Sequence, residues 1–406
     1  MRIGVIGSGT AGPAAAGLLA RAGHEVHLFE RARPMTAVGA GLLLQPTGLA
    51  VLERMGLLCK ALERGSSIRG LYGDTREGKP VLELEYEWLY HGCAALGVHR
   101  AMLLELLLAH ARAEGVVLHE GKEAVALGDP ARPRVEFRCG DSFECDLCVI
   151  AAGARSLLRR HPAFGATETE YPWGALWVIT PDPELRYGET LRQIYENAQG
   201  MVGFLPSGSV SIHGPRTPTV SLFWSERVRD LPAVRGVPLD RWKARVRSFS
   251  PLAAPILDRI GSWSEVASAV YLSVSLRRCW AGRVVVIGDA AHAMSPQLGQ
   301  GANLALMDAA ALADYLAAEP RVENALRGYE SARRAHTRFY QWASGMLTPL
   351  FQGDRESIGP VRDALMHPVS RVPWFRRQFL DSLAGVKTGI WGAMKVPRIA
   401  GDSLPS

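Results

Sequence analysis

Residues 2–30 read RIGVIGSGTAGPAAAGLLARAGHEVHLFE, and three signals in this stretch decide the fold. Arg2–Ile6 is a short, mostly apolar run of the kind a buried parallel strand needs. Gly7-Ser8-Gly9-Thr10-Ala11-Gly12 then fits G-x-G-x-x-G, and residues 13–22, rich in Ala and Leu, read as a helix closed by Gly23. Glu25–Glu30 reads as a second strand ending in an acid, which completes a β-α-β unit. Each residue type has a physical use there. Gly7 permits the tight turn, Gly9 lets the backbone approach a pyrophosphate at the helix N-terminus, Gly12 allows close helix packing, and Glu30 accepts hydrogen bonds from ribose hydroxyls.

The α/β pattern continues outward from this unit. Apolar residues recur at helical spacing over residues 48–58, and residues 102–113 form a stronger amphipathic helix before a strand-like run at 116–119. Between residues 135 and 149 two strand-like segments flank Gly140 and Asp141, a hairpin signal. From residue 171 to 275 the chain changes to short β-branched and aromatic runs broken by Pro and Gly, which reads as an inserted antiparallel sheet. Residues 283–287 are again a buried parallel-type strand, followed by Gly288-Asp289 and a helix over residues 302–317. The expected class is α/β: a discontinuous Rossmann-like domain (1–170 and 276–345), a mainly antiparallel substrate sheet (171–275) and a C-terminal helical segment (346–406).

Composition narrows the function. With 406 residues and 48% hydrophobic side chains the chain can bury a large core, which excludes disorder as its main state. No apolar run is long enough to span a bilayer, and the N-terminus reads as a strand rather than a signal peptide, so a cytoplasmic protein is expected. Six cysteines are too sparse for a disulfide framework. Cys145 and Cys148 have C-x-x-C spacing without a second pair for zinc, and they read as buried structural thiols pointing to opposite faces of one strand; no metal site is expected. A net charge of +6 spread over the chain suits anionic small ligands, not nucleic acid.

The first motif alone does not separate NAD from FAD. A second signal does: Gly288-Asp289-Ala290-Ala291-His292, then Pro296, Gly299-Gln300-Gly301-Ala302-Asn303 and Asp308. This stretch resembles the second FAD fingerprint of the class A flavoprotein monooxygenases, the single-component aromatic hydroxylases related to para-hydroxybenzoate and salicylate hydroxylases. The resemblance extends through Glu30-Arg31, Gly39-Ala40-Gly41, Gln45-Pro46, His99-Arg100, Tyr329-Glu330 and Arg333-Arg334. It implies that Asp289 binds the ribityl chain, that Arg100 meets the phosphate or ribityl region, and that the backbone near Ala124 and Val125 meets the adenine. Pro296 and the turn of Gly299, Gly301, Ala302 and Asn303 would face the flavin ring, where a helix N-terminus stabilises negative charge. With Gly7, Ser8, Gly9, Thr10, Ala11, Gly12, Glu30, Arg31, Gly41 and Leu42, these complete the expected FAD set.

The chain departs from the family at one point. Where the family motif resembles Asp-x-x-x-x-Ala-Asp-Gly-Ala-x-Ser, residues 146–156 carry Ala152 in place of the second acid, a position the family links to FAD and to the nicotinamide coenzyme. The resemblance implies an FAD-dependent monooxygenase that uses NADPH or NADH and dioxygen to hydroxylate or epoxidise an aromatic or polycyclic molecule through a flavin hydroperoxide. Alternatives are a flavin-dependent reductase or dehydrogenase of the same fold, and a flavin-binding protein that has lost reduction. A flavin-dependent halogenase is set aside because Trp-x-Trp-x-Ile is absent; Trp173 and Trp177 have another spacing.

No acid-base residue stands out. His213, on an expected strand of the inserted sheet, is a candidate proton acceptor, and Pro296 a candidate beside the flavin. Tyr195, Phe204, Phe223, Trp224 and Tyr271 are candidates for an aromatic substrate pocket. The basic, aromatic tail (373–395) reads as a terminal helix packed on the FAD domain with a solvated basic face; weak peripheral contact with anionic lipid is the alternative.

Overall fold

The computed structural model describes residues 1–35 and 39–399. Its first sheet has six strands in the order Trp280–Ala281, Val284–Val286, Leu147–Ile150, Arg2–Ile6, Glu25–Glu30, Val117–Glu120. All neighbours are parallel except the Trp280–Ala281 edge. The central strands are apolar on both faces because both are covered: helices Ala11–Arg21, Arg100–Ala113 and Gly301–Ala318 share one apolar core on the first face, and Val135, Phe137 and Phe143 of a small three-stranded sheet pack on Ile6, Phe29, Cys148 and Ile150 of the second.

The second sheet has seven strands in the order Ala267–Leu276, Ala166–Pro181, Thr219–Arg227, Gly200–Gly208, Thr190–Glu196, Gly70–Thr75, Pro80–Glu85. Two of these strands come from outside the 171–275 span. Gly70–Thr75 pairs in parallel with Thr190–Glu196, so the sheet is completed by a segment more than a hundred residues upstream. The other side of the sheet is covered by helix Leu239–Phe249, whose Trp242, Val246 and Phe249 are buried against it.

Other differences are local. The 48–58 helical signal divides at Gly56, which takes φ +75°, into Pro46–Arg54 and Leu58–Arg64. The hairpin is Arg134–Phe137 with Ser142–Glu144, and Leu147–Ile150 is a separate strand of the first sheet, anchored by the Arg2 N–H donating to Asp146 Oδ2 at 2.7 Å. Cys145 therefore precedes that strand. Its thiol is not turned away from Cys148: it packs against the apolar cluster that holds Cys148, where the neighbouring Cys145 thiol, and burial after it, push the Cys148 thiol well up, and both cysteines are free. One helix, Val322–Phe351, crosses the expected boundary at 345, and Ile358–Arg371 and Pro373–Leu383 follow it. Beyond them residues 383–387 are buried inside the fold.

Candidate active site

The site begins where Arg2–Ile6 enters helix Ala11–Arg21. Gly7 takes φ +103°, and a Cβ there would lie 2.6 Å from the Ala151 carbonyl oxygen, so strand and turn meet in backbone contact. A Cβ at Gly12 would collide with the Gly7 carbonyl oxygen. At Gly9 the same atom would point into open space. Thr10, the N-cap, makes no side-chain capping bond, so the first N–H groups of the helix are left for an external acceptor. Glu30 is already oriented: Oε2 accepts from Ser8 N (2.8 Å) and Ser8 Oγ (3.0 Å), and Oε1 from Ala32 N (2.9 Å). Arg31 beside it is exposed, and Val125 is half-buried in the edge strand Ala124–Leu127.

The second fingerprint folds onto the first. Gly288 has φ +60°, and a Cβ there would stand 2.9 Å from Ala11 Cβ, so motifs at opposite ends of the chain share one cleft. Asp289 is exposed beside Gly301 and has no hydrogen bond or ion pair among the described residues. Behind it Asp308, fully buried, accepts from Gly288 N (2.9 Å) and Arg333 Nε (2.8 Å) and meets His292 Nε2 (2.6 Å). Burial alone would push the Asp308 carboxyl up; the attraction of His292 and Arg333 and their hydrogen bonds outweigh it and hold the carboxyl well below the usual range. Arg333 continues to His336 Nδ1 (2.6 Å), and His336 Nε2 donates to the Gly385 carbonyl (2.7 Å). Burial, and the Arg333 charge after it, push His336 down to about 3, so it is neutral.

Asn303, fully buried, ties strand Gly41–Leu44 to the turn that opens helix Gly301–Ala318. Its Oδ1 accepts from Gln45 N (2.8 Å) and its Nδ2 donates to Leu43 O and Gly299 O (both 3.1 Å). The Gly41 N–H donates to Ser221 Oγ of the second sheet (2.9 Å), while Leu42 and Ala302 keep partial exposure along the cleft. Pro296 is exposed in the turn Pro296–Leu298, which Gly299 closes in a left-handed conformation. Arg100, exposed at the start of its helix, brings its guanidinium to 3.7 Å from the position of a Cβ on Gly39 and has no ion partner among the described residues.

These residues fit FAD. An uncapped helix N-terminus and an unpaired Arg100 await phosphate, Gly9 leaves room for it, and Asp289 offers unused acceptor atoms to polyol hydroxyls.

The floor of the site is one face of the second sheet. Directly paired residues share a face, so Trp177, Phe223 and Gly203 line up across three strands. Phe223 lies over Gly203, where any side chain would collide with its ring, and packs at 5.1 Å from Trp177. Trp177 Nε1 donates to Tyr271 Oη at 3.3 Å. Burial pushes the Tyr271 hydroxyl up to about 12, so it keeps its proton. Tyr195 belongs to this face too, its hydroxyl donating to Gln193 Oε1 (2.7 Å), with Leu43, Met201 and Leu205 in the same apolar cluster. A polar chain ties the Pro296 turn to this floor: Gln297 Nε2 donates to Gln352 Oε1 (2.8 Å), and Gln352 Nε2 to Ser225 Oγ (2.8 Å).

Residues 1–341 match the family described as FAD binding domain. The chain belongs to the class A FAD-dependent aromatic monooxygenases. It is 31% identical, over 84% of its length and 86% of the relative's, to a putative 2-heptyl-3-hydroxy-4(1H)-quinolone synthase of Rhodococcus erythropolis. It is 29% identical to the 3-amino-4-hydroxybenzoate 2-monooxygenase of Streptomyces cremeus, covering 83% of this chain and 84% of that one. Among solved structures, 2-methyl-3-hydroxypyridine-5-carboxylic acid oxygenase superposes with a TM-score of 0.76 at 28% identity, covering 94% of this chain and 95% of that one.

The structure of this monooxygenase corrects three expectations drawn from sequence. Phe204 and Trp224 face away from the cofactor cleft: Phe204 stacks on Tyr187 (5.4 Å) and Trp224 meets Phe249 edge-on (5.1 Å), beneath helix Leu239–Phe249. Period two decides this, since 204 and 224 adjoin the inward positions 203 and 223. His213 is on no strand. It lies exposed in the loop after Gly200–Gly208, 3.4 Å from Glu105 on helix Arg100–Ala113. Gln352 and Trp177 were missed as site residues, because their roles come from partners far away in sequence. Ala152 is exposed against the Gly7 turn.

Proposed function

We propose that this monooxygenase uses NADPH or NADH and dioxygen to insert one oxygen atom into an electron-rich aromatic ring held between the Pro296 turn and the Trp177, Phe223 and Tyr271 face. The observation that carries this reading is the polar chain from Gln297 through Gln352 to Ser225, which fixes the turn over an aromatic floor. The names of the relatives support the ligand class: a hydroxyquinolone, an aminohydroxybenzoate and a hydroxypyridine carboxylic acid each carry a ring activated by oxygen or nitrogen.

FAD, when bound, would supply the redox chemistry between the nicotinamide and dioxygen. The chain does the rest. Residues 1–170 and 276–345 hold the cofactor: Glu30 the ribose, the helix N-terminus and Arg100 the phosphates, Asp289 the ribityl hydroxyls. The second sheet, including the strands between residues 70 and 85, holds the substrate. Leu43, Trp177 and Phe223 exclude water, and the protonated Tyr271 hydroxyl donates to a substrate oxygen or nitrogen rather than acting as a base.

Turnover under isotopically heavy dioxygen tests this. The product of an accepted phenol, quinolone or hydroxypyridine gains one labelled atom per nicotinamide oxidised. Nicotinamide oxidation with no label in any organic product across the panel would replace the reading with a reductase or oxidase.

A further inference from the structure

Helix Pro373–Leu383 has two ends in opposite surroundings. Leu380 and Leu383 are buried in the apolar cluster that holds Leu43, Leu205 and Phe223. At the other end Trp374 is 46% exposed with Phe375 packed edge-on beside it, and the segment that follows the helix returns to place Trp391, 81% exposed, at 5.6 Å from Trp374. Val372, Ile390, Met394 and Trp88 are exposed as well. Trp391 is held in this position by main-chain pairing, with the Thr388 N–H donating to Gly392 O (2.9 Å) and the Met394 N–H to Val386 O (2.8 Å). A tryptophan left in water on a fixed backbone forgoes a large apolar gain.

Charge distinguishes among partners. Residues 371–399 carry six Lys and Arg, five of them outside the core once the buried Lys387 is set aside, against one acid, Asp381, which is buried and engaged by Arg377 at 2.9 Å. Arg376 lies over the Trp88 ring (4.7 Å), Arg398 near that of Tyr90 (5.9 Å), and Arg371 and Lys395 are exposed. The acid beside Trp88, Glu87, is exposed and meets His91 Nδ1 at 2.9 Å. A symmetric contact with a second copy would set these cations against themselves. A negatively charged phospholipid surface satisfies both features: rings settle at headgroup depth, and guanidinium and ammonium groups meet phosphates.

We propose that this face docks the enzyme peripherally on an anionic bilayer. The FAD-loaded full chain is sedimented with vesicles of phosphatidylcholine alone and of phosphatidylcholine containing about one quarter phosphatidylglycerol, at low and high salt. Binding to the anionic vesicles, weakened by salt and absent from the neutral ones, is expected. The double variant Trp374→Ala and Trp391→Ala should lose it by about tenfold or more, with flavin content and thermal midpoint unchanged because both rings face water. Failure of the wild type to bind anionic vesicles overturns the proposal, as does binding that the double variant leaves intact. A wild-type dimer that the double variant dissolves, with no vesicle binding by either, would assign the face to a second copy instead.

Discussion

The two sides of the active site are built by opposite means. On the cofactor side, position comes from backbone contact at Gly7 and Gly288 and from buried charge that is fully paired: Asp308 with the Gly288 N–H, His292 and Arg333. On the sheet side the groups facing the cleft are mostly apolar rings and aliphatic side chains, with a few neutral hydrogen bonds at Tyr271, Gln193 and Gln352. On the proposed reading, one side fixes a geometry and the other selects a ligand by shape. Changes on the first should cost fold and flavin together; changes on the second should move substrate preference at smaller cost.

The largest effect should follow loss of the buried charge. Asp308→Ala leaves Arg333 and His292 without their partner, and a cost of about 3–5 kcal/mol is expected, read by denaturant unfolding, with loss of bound flavin read by the ratio of visible to ultraviolet absorbance. Full flavin content and an unchanged midpoint would dissolve the contrast between the sides. Next comes a pair on one sheet. Phe204→Ala, on the covered face, should cost about 3–5 kcal/mol with the product unchanged, whereas Phe223→Ala should cost less and raise the substrate KM roughly tenfold. Identical behaviour of the two would show that the faces are not distinct.

Two glycines sharpen the cofactor side. Gly12→Ala forces the helix away from Gly7 and should destabilise the apoprotein by about 1–3 kcal/mol, while Gly9→Ala, whose new methyl enters the space of the cofactor, should leave apoprotein stability within about 0.5 kcal/mol and weaken FAD binding. Calorimetric titration of the apoprotein with FAD separates the two. The smallest effect is one of pH. The folded state keeps His336 neutral down to about 3, against 6.5 unfolded, so the unfolded state binds the extra proton and stability, complete above 6.5, falls as pH drops through that window. Between pH 7 and 6 the loss from this group is about 0.7 kcal/mol, and His336→Gln should flatten that part of the profile. Asp308 adds its own loss only below about pH 4, where the unfolded carboxyl takes up a proton.

The same contrast governs what could be read beforehand. The cofactor side is legible because its constraints fall on residue types: only glycine serves at Gly7 and Gly288, and an acid must end Glu25–Glu30. The sheet side is not. Strands Gly200–Gly208 and Thr219–Arg227 are buried on both faces, so no alternation of polarity told Phe223 from Trp224 or Phe204 from its neighbours. Gly70–Thr75 joins that sheet through a parallel pairing with Thr190–Glu196 that no local signal announces. His336, Gln352 and Gly385 acquire their roles only when helix Val322–Phe351 and the segment after Leu383 close over the cleft.

The most direct test is anaerobic bleaching of the bound flavin by NADPH and by NADH, with and without phenols, quinolones and hydroxypyridines, in the wild type, Phe223→Ala and Phe204→Leu. One ligand class should speed bleaching in the wild type and in Phe204→Leu and fail to do so in Phe223→Ala. Acceleration that survives Phe223→Ala but is lost in Phe204→Leu would contradict the placement of the substrate on the inner face of the sheet.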